Sequence, residues 1–258
     1  MSRIHPGLCS VTLRASAIDD VARLAGECGL GGIEWGGDVH VAPGDRSAAA
    51  RARSATAAAD AVVASYGSYL FAAGLPDADE AAAVVDTAAA LGAPNVRVWA
   101  GPDTPLDDAW VNALARFCAI AAAADLTVGL EYHGGTPTAT VAGTLDLLAA
   151  VGAPNLFTYW QPPYWRAPTH PASDADEVTA LGARLAHLHV YEWADASDRR
   201  PLRDGAARWE AVLGRAAAVE GAWSSVRYAF CEFVRDDDPQ QLRRDAAVLI
   251  GWLDKFSG

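Results

Sequence analysis

Four residues of the types that bind divalent cations follow successive apolar runs in the second half of the chain. They are Glu131, Gln161, His189 and Glu232. Carboxylate, amide and imidazole groups in one cluster suit a hard or borderline divalent ion. A single Glu of this kind is usually a surface or capping residue. The joint pattern favours a metal site, because burying these polar groups without a cation or hydrogen bonds would be costly.

Further polar and aromatic residues near the ends of the apolar runs could contact a small molecule. They are Glu34, Trp35, His40, Tyr66, Trp99, His133, His187 and Arg203. Core packing is the competing interpretation for each aromatic residue, and a solvated loop position is the competing interpretation for Arg203. Alternation along a strand puts His187 and His189 on the same face. One of the two could therefore bind a metal while the other is its hydrogen-bonded neighbour.

The elements that must position these residues are eight β-rich runs separated by Ala- and Leu-rich stretches with helical spacing. The runs are residues 7–13, 31–37, 61–70, 95–101, 126–133, 155–161, 185–193 and 227–234. They recur about every 30 residues, the length of one βα unit. We therefore predict a single-domain (β/α)8 barrel over residues 1–258. A doubly wound open sheet is the alternative. Such a sheet usually has the motif GxGxxG in its first turn, and the segment GLGGIEW does not match that motif.

Local signals mark the ends of several predicted helices. Ser16 followed by Asp19 resembles a capping box at a helix start. Gly92 and Gly152, each followed by Ala-Pro-Asn, predict helix ends with a new strand beyond. In a (β/α)8 barrel the active site lies at the carboxyl ends of the strands, where the candidate residues above fall.

Composition excludes several classes of function. The chain has 258 residues and a net charge of −12, which makes nucleic acid a poor partner. No apolar run reaches about 18 residues, so we expect no membrane span. The four scattered cysteines predict reduced thiols in a cytoplasmic protein. Lys255 is the one lysine and lies near the C-terminus, which argues against Schiff-base chemistry.

Several segments together resemble the xylose isomerase-like TIM barrels, and within them the sugar phosphate isomerase/epimerase group. The resemblance spans nearly the whole chain. Its segments are GLGGIEWGGDVHV at 29–41, GLEYHGGT at 129–136, HLHVYEW at 187–193, RRPLRDGAARW at 199–209 and FCEFVRDDDPQQLRRD at 230–245. The resemblance implies one divalent ion, Mn²⁺, Mg²⁺, Co²⁺ or Zn²⁺. Its expected ligands are Glu131, Gln161, His189 and Glu232, with Gln161 standing where the family usually has Asp.

The activity that this resemblance implies is isomerisation or epimerisation of a sugar, cyclitol or keto-polyol. Glu131 and Glu232 would act as acid and base beside a carbonyl, through an enediolate stabilised by the metal. Two alternatives stay open. Loss of a β-hydroxyl from the same enediolate would make the protein a dehydratase or lyase, and the neutral Gln161 leaves room for a sugar-binding barrel that has lost its metal.

Two further expectations concern the substrate and the assembly state. The loop after the last strand, VRDDDP, is acidic and has no glycine, which favours an unphosphorylated substrate. Trp223 and Trp252 suggest a homodimer interface if they are exposed, but each could instead cover a seam between helix and barrel.

Overall fold

The computed structural model describes residues 4–72, 77–102, 107–166, 170–195, 197–220, 223 and 226–256. Its barrel strands are β1 (Ile4–Cys9), β2 (Gly32–Gly36), β3 (Val62–Phe71), β4 (Asn95–Trp99), β5 (Thr127–Leu130), β6 (Leu156–Trp160), β7 (Leu185–Val190) and β10 (Arg227–Cys231). They are parallel and close in the order β1-β10-β7-β6-β5-β4-β3-β2. The predicted (β/α)8 barrel is therefore confirmed.

Helices alternate with the strands around the outside of the barrel. They are α1 (Ile18–Glu27), α2 (Arg46–Ala58), α3 (Ala78–Leu91), α4 (Asp108–Ala123), α5 (Val141–Val151), α6 (Pro171–Leu181), α7 (Ala206–Ala218) and α8 (Pro239–Leu253). No helix of the described chain has both the length and the apolar character needed to cross a bilayer.

The predicted helix ends are correct at two glycines and wrong at one start. Gly92 and Gly152 end α3 and α5 in the left-handed conformation, at φ 76° and 62°. The capping box at Ser16 does not form, because the residue preceding α1 is Ala17, which makes no side-chain cap. The carbonyl of Ser16 instead lies 3.2 Å from Nε2 of His40.

The strands differ most from the sequence prediction at the first and seventh runs. The first strand begins earlier than expected, at Ile4, and ends at Cys9, since residues 10–13 turn into a short 3₁₀ helix. The seventh run divides in two. After β7, residues of the same run enter an antiparallel hairpin of β8 (Glu192–Asp195) and β9 (Asp198–Arg200). This hairpin extends the carboxyl end of the barrel.

Side-chain alternation decides which residues reach the barrel interior. On β2, Glu34 and Trp35 are consecutive, so one points inward and the other outward. Glu34 lies in the interior, whereas Trp35 donates a hydrogen bond of 3.0 Å to Thr56 on α2. The same alternation carries Arg97 and Glu131 into the interior from their strands.

Candidate active site

A cavity of about 260 Å³ lies at the carboxyl end of the barrel. Its described lining is mostly aromatic, with a few charged and amide groups. The residues are Arg14, Tyr69, Trp99, Glu131, His133, Gln161, Tyr164, Tyr191, Trp193, Glu232 and Phe233. An apolar wall with a few convergent polar groups is the usual composition of a small-molecule site.

Glu34 and His189 form the buried base of this site. Both side chains are 0% exposed, and Glu34 Oε1 lies 3.2 Å from His189 Nε2. Burial alone would raise the pKa of Glu34. The positive charges of Arg97 and His189 outweigh that effect and hold its pKa well below the ordinary value. An ionised Glu34 therefore accepts a hydrogen bond from the Nε2–H group and fixes the orientation of the imidazole.

The other ring nitrogen of His189 faces two carboxylates. Nδ1 lies 3.2 Å from Glu232 Oε2 and 4.0 Å from Glu131 Oε1. It is buried without a hydrogen-bond partner in the described chain. A histidine that gives one N–H to a carboxylate and turns its other nitrogen toward further carboxylates has the arrangement of a metal ligand. The donor set of His189, Glu131 and Glu232 therefore fits a divalent ion.

A proton competes with a metal for the same nitrogen of His189. Burial opposes the charged imidazolium, but the carboxylates of Glu232 and Glu34 outweigh it and raise the pKa of His189 to about 9. Metal binding at Nδ1 would therefore release a proton at neutral pH.

Gln161 lies beside Glu131 but presents its amide nitrogen. Nε2 donates to the carbonyl of Tyr132 at 2.6 Å and to Glu131 Oε1 at 3.3 Å. Both partners are acceptors, so this orientation of the amide is the one they favour. In this arrangement Gln161 is a hydrogen-bond donor to Glu131, and ligation through its oxygen would require the amide to turn.

Arg97, which the sequence reasoning missed, lies at the centre of the site. Its Nε donates to Glu34 Oε1 at 2.9 Å, and its Nη1 pairs with Glu131 Oε2. The sequence did contain a signal for Arg97. Residues two apart on a strand lie on the same face, so Arg97 shares a face with Trp99, which was predicted to contact a small molecule. An arginine inside an apolar strand is as informative as a strand-end glutamate.

Cys9 was also missed. Its sulfur and ligand atoms of His189 and Glu232 all lie within 4.8 Å of one another. The thiol donates to Glu34 Oε1 at 3.4 Å. Burial raises the pKa of Cys9 well above its ordinary value, so the group stays a thiol, which is a weaker ligand than a thiolate.

Two predicted substrate-contacting residues, Trp99 and His133, line the cavity. Their rings stack with centroids 4.4 Å apart. His133 Nδ1 lies 2.7 Å from the carbonyl of Gly134 and must carry a proton to bond with it. Since burial lowers the pKa of His133, Nε2 is left as an acceptor, 3.3 Å from the hydroxyl of Tyr164.

The remaining predicted contact residues lie outside the cavity lining. Trp35 and Tyr66 point outward, and Tyr66 donates to the carbonyl of Val41 at 2.8 Å. His40 is buried, with Nδ1 3.0 Å from Ser10 Oγ. His187 lies one layer below His189, and Arg203 is 72% exposed beside Asp204.

A larger depression of about 620 Å³ lies at the opposite end of the barrel. Its lining includes Gly31 and Asp60, which precede β2 and β3, and charged residues of α1. One of these, Arg23, already pairs with Glu27 at 2.7 Å. Because the buried, converging ionisable groups belong to the smaller cavity, we assign the site there.

The fold and this site define a (β/α)8 barrel with a candidate metal centre at its carboxyl end. Residues 22–252 match the family described as xylose isomerase-like TIM barrel. The chain belongs to this family.

Solved structures with the same fold include enzymes of different activities. The probable 3-DHS dehydratase AsbF from Bacillus anthracis is 18% identical, with a TM-score of 0.79 over 96% of this chain and 99% of that one. D-allulose 3-epimerase from Methylomonas sp. is 16% identical, with a TM-score of 0.70 over 98% and 99%. A xylose isomerase-like TIM barrel protein from Mycobacterium smegmatis, in complex with magnesium, is 13% identical, with a TM-score of 0.71 over 98% of each chain. No curated protein matched the sequence.

Proposed function

We propose that the protein is a divalent-metal-dependent isomerase or epimerase that acts on a sugar, cyclitol or related keto-polyol. The observation that carries this proposal is the environment of His189. Its Nε2 faces Glu34, and its Nδ1, which has no hydrogen-bond partner among the described residues, faces the carboxylates of Glu131 and Glu232. The magnesium complex of a structural relative supports the same type of cofactor.

Residues of this chain would carry the chemistry as follows. His189, Glu131 and Glu232 would hold the ion, with Gln161 as a fourth ligand if its amide turns. A bound ion would act as a Lewis acid toward the substrate carbonyl. Glu131 and Glu232 are the candidate acid and base for the proton on the neighbouring carbon. The rings of Trp99, His133 and Tyr164 would exclude water and contact the C–H faces of a sugar.

Dehydration on the same scaffold is the second candidate. It is favoured by the probable dehydratase among the structural relatives, whose TM-score is 0.79. The hydroxyl of Tyr164 lies 3.3 Å from Nε2 of His133, and this pair could give a proton to a leaving hydroxyl. A catalytically silent sugar-binding barrel is the alternative without chemistry.

An unphosphorylated substrate fits the electrostatics of the mouth. Asp236 and Asp237, which follow β10, pair with Arg235 and Arg199, so these arginines are already engaged by carboxylates. The cationic side chain at the cavity, Arg14, is already paired with Asp38.

The cytoplasmic location and the homodimer stay predictions. Within the chain, Trp223 and Trp252 are only 9% and 6% exposed, which supports the seam interpretation.

Metal content and proton exchange test this function. Purified protein is analysed for bound metals, titrated with Mn²⁺ by calorimetry, and incubated with ketoses and inososes in D₂O. We expect Mn²⁺ binding and exchange of a proton next to a carbonyl, with water loss indicating the dehydratase. Absence of any divalent ion near Glu131, His189 and Glu232 after soaking crystals with Mn²⁺ would refute the enzyme assignment.

A further inference from the structure

We propose that Arg97 is a positioning residue that makes the two glutamates of the site unequal. Anchored by Glu34, its guanidinium holds one carboxylate oxygen of Glu131. Glu131 is thereby restricted to holding the ion, and Glu232 is the carboxylate that moves the substrate proton. This division of roles rests on the proposed function, whereas the positioning of Glu131 by Arg97 can be tested without it.

Arg97 is fully enclosed by the barrel. Its side chain is 1% exposed, and its charge is balanced by Glu34 at 2.9 Å and by Glu131. The guanidinium carbon lies 5.1 Å from the centroid of the Tyr69 ring, which covers it from the mouth. A buried charge held by two carboxylates and an aromatic face has little freedom to move.

Gly67 provides the space that the guanidinium occupies. It pairs in register with Arg97 across β3 and β4. A Cβ atom at Gly67 would lie 2.6 Å from Arg97 Nη2 and 3.2 Å from Glu34 Oε1. Any larger residue would therefore push the guanidinium away from Glu34, and the absence of a side chain here is a requirement of the Arg97 position.

The contacts of Glu131 and Glu232 differ as a result. Glu131 has Oε2 on Arg97 and Oε1 3.3 Å from Gln161 Nε2. Glu232 has one ion-pair partner in the described chain, His189 Nδ1 at 3.2 Å, and it lines the cavity. A carboxylate that must accept a proton needs an oxygen without a competing donor, and Glu232 meets that condition better than Glu131.

The difference in contacts between Glu131 and Glu232 limits which reactions the proposed enzyme can catalyse. Epimerisation requires groups that exchange protons on both faces of one carbon. A single mobile carboxylate serves one face, which suits aldose–ketose isomerisation or elimination of a hydroxyl. The geometry therefore favours these outcomes over epimerisation for the proposed enzyme.

The test combines variants that separate charge from position. Arg97→Met removes the guanidinium. The double variant, Arg97→Met with Glu34→Gln, also removes the carboxylate that would otherwise be left unpaired, and it is used if the single variant does not fold. Arg97→Lys keeps the charge without the fork. Gly67→Ala displaces the intact guanidinium, and Gly31→Ala is the matched control because its Cβ would meet nothing within 4 Å.

Two readouts are measured on each folded variant, Mn²⁺ affinity by calorimetry and the crystal position of the Glu131 carboxylate. Removing the Arg97 charge should tighten Mn²⁺ binding about tenfold, in Arg97→Met relative to wild type and in the double variant relative to Glu34→Gln alone, and Arg97→Lys should stay near wild type. A purely structural role would weaken binding instead. The Glu131 carboxylate should move in the Arg97→Met and Gly67→Ala variants and stay in place in Gly31→Ala.

The outcomes separate the two proposals. If wild type binds no Mn²⁺, the proposed function fails, and the crystal position of Glu131 alone decides the role of Arg97. If Glu131 keeps its position without Arg97, the positioning role is wrong whether or not metal binds. If wild type binds Mn²⁺ and neither comparison shows tighter binding on loss of Arg97, the electrostatic role is also wrong.

Discussion

Glu232 Oε2 lies 3.2 Å from Nδ1 of His189, and both side chains are almost completely buried. The imidazole is held from its other side by Glu34, so Nδ1 cannot turn away from Glu232 without breaking that contact. The imidazole of His189, contacted on both sides, is therefore the most constrained ligand of the candidate metal centre.

Replacing Glu232 with Gln should abolish turnover of the true substrate while leaving the fold intact. The amide has the same shape but cannot accept the proton, and general acid–base groups typically contribute about 10³-fold to the rate. Steady-state kinetics measure the loss, and circular dichroism checks the fold. Glu210→Gln, an exposed residue paired with Lys255, is the control. Retained activity in Glu232→Gln would refute the acid–base role.

Replacing Gln161 with Glu should make the stability of the protein depend strongly on metal. Without an ion, the new carboxylate would face Glu131 Oε1 and the Tyr132 carbonyl, which now accept from the amide. Repulsion among these oxygens should lower the melting temperature, and Mn²⁺ should restore it by supplying the missing charge. The metal-induced shift should exceed that of wild type and of the exposed control Gln240→Glu. An equal shift in all three proteins would contradict the placement of Gln161 at the ion.

His40 should make the protein less stable in mild acid. Burial lowers the pKa of His40, while Asp38 raises it and Arg14 lowers it further. Because the folded pKa lies below the unfolded value of about 6.5, the unfolded chain binds more protons, and stability falls as pH drops through that value. Urea unfolding between pH 5 and 8 should give a shallower pH dependence for His40→Asn than for wild type. Identical slopes would mean that His40 titrates normally in the fold.

Removing the ring of Trp99 should weaken substrate binding more than catalysis. Trp99 stacks on His133 at 4.4 Å and lines the cavity, so Trp99→Ala loses an aromatic contact worth about 1 kcal/mol and should raise KM several-fold. Phe71→Ala is the control, because Phe71 packs against Trp99 at 5.1 Å but does not line the cavity. Equal effects of both variants on KM would indicate that Trp99 acts only through packing.

Much of the fold could be predicted from the sequence because its signals are local. The apolar runs, the spacing of βα units and the glycine helix ends each depend on a few neighbouring residues. The hairpin of β8 and β9 was not predicted, since only Glu192 and Trp193 belong to the seventh run and the residues after them are mostly polar. Its bend depends on contacts with other parts of the chain. One such contact joins Trp193 Nε1 to the Phe233 carbonyl at 3.4 Å.

The candidate site could be predicted only in part because burial and direction are properties of the whole barrel. Glu131 and Glu232 both face Nδ1 of His189, and their roles as metal ligands stay predictions. Trp35 was selected for its position near a strand end, although alternation with the inward Glu34 directs it toward α2. The orientation of the Gln161 amide depends on the Tyr132 carbonyl, and no sequence pattern predicts that contact.

The rings beneath His189 close the barrel from below. Tyr159 lies 5.2 Å from His189 and 5.0 Å from His187 between ring centroids, and Phe230 lies 5.2 Å from His187. Among the described residues, these rings leave the aromatic mouth as the route to His189 for ions and small molecules, so a metal that binds before the substrate would leave after it. A bound substrate would stand between that metal and a chelator, and the rate of metal loss would then report substrate occupancy.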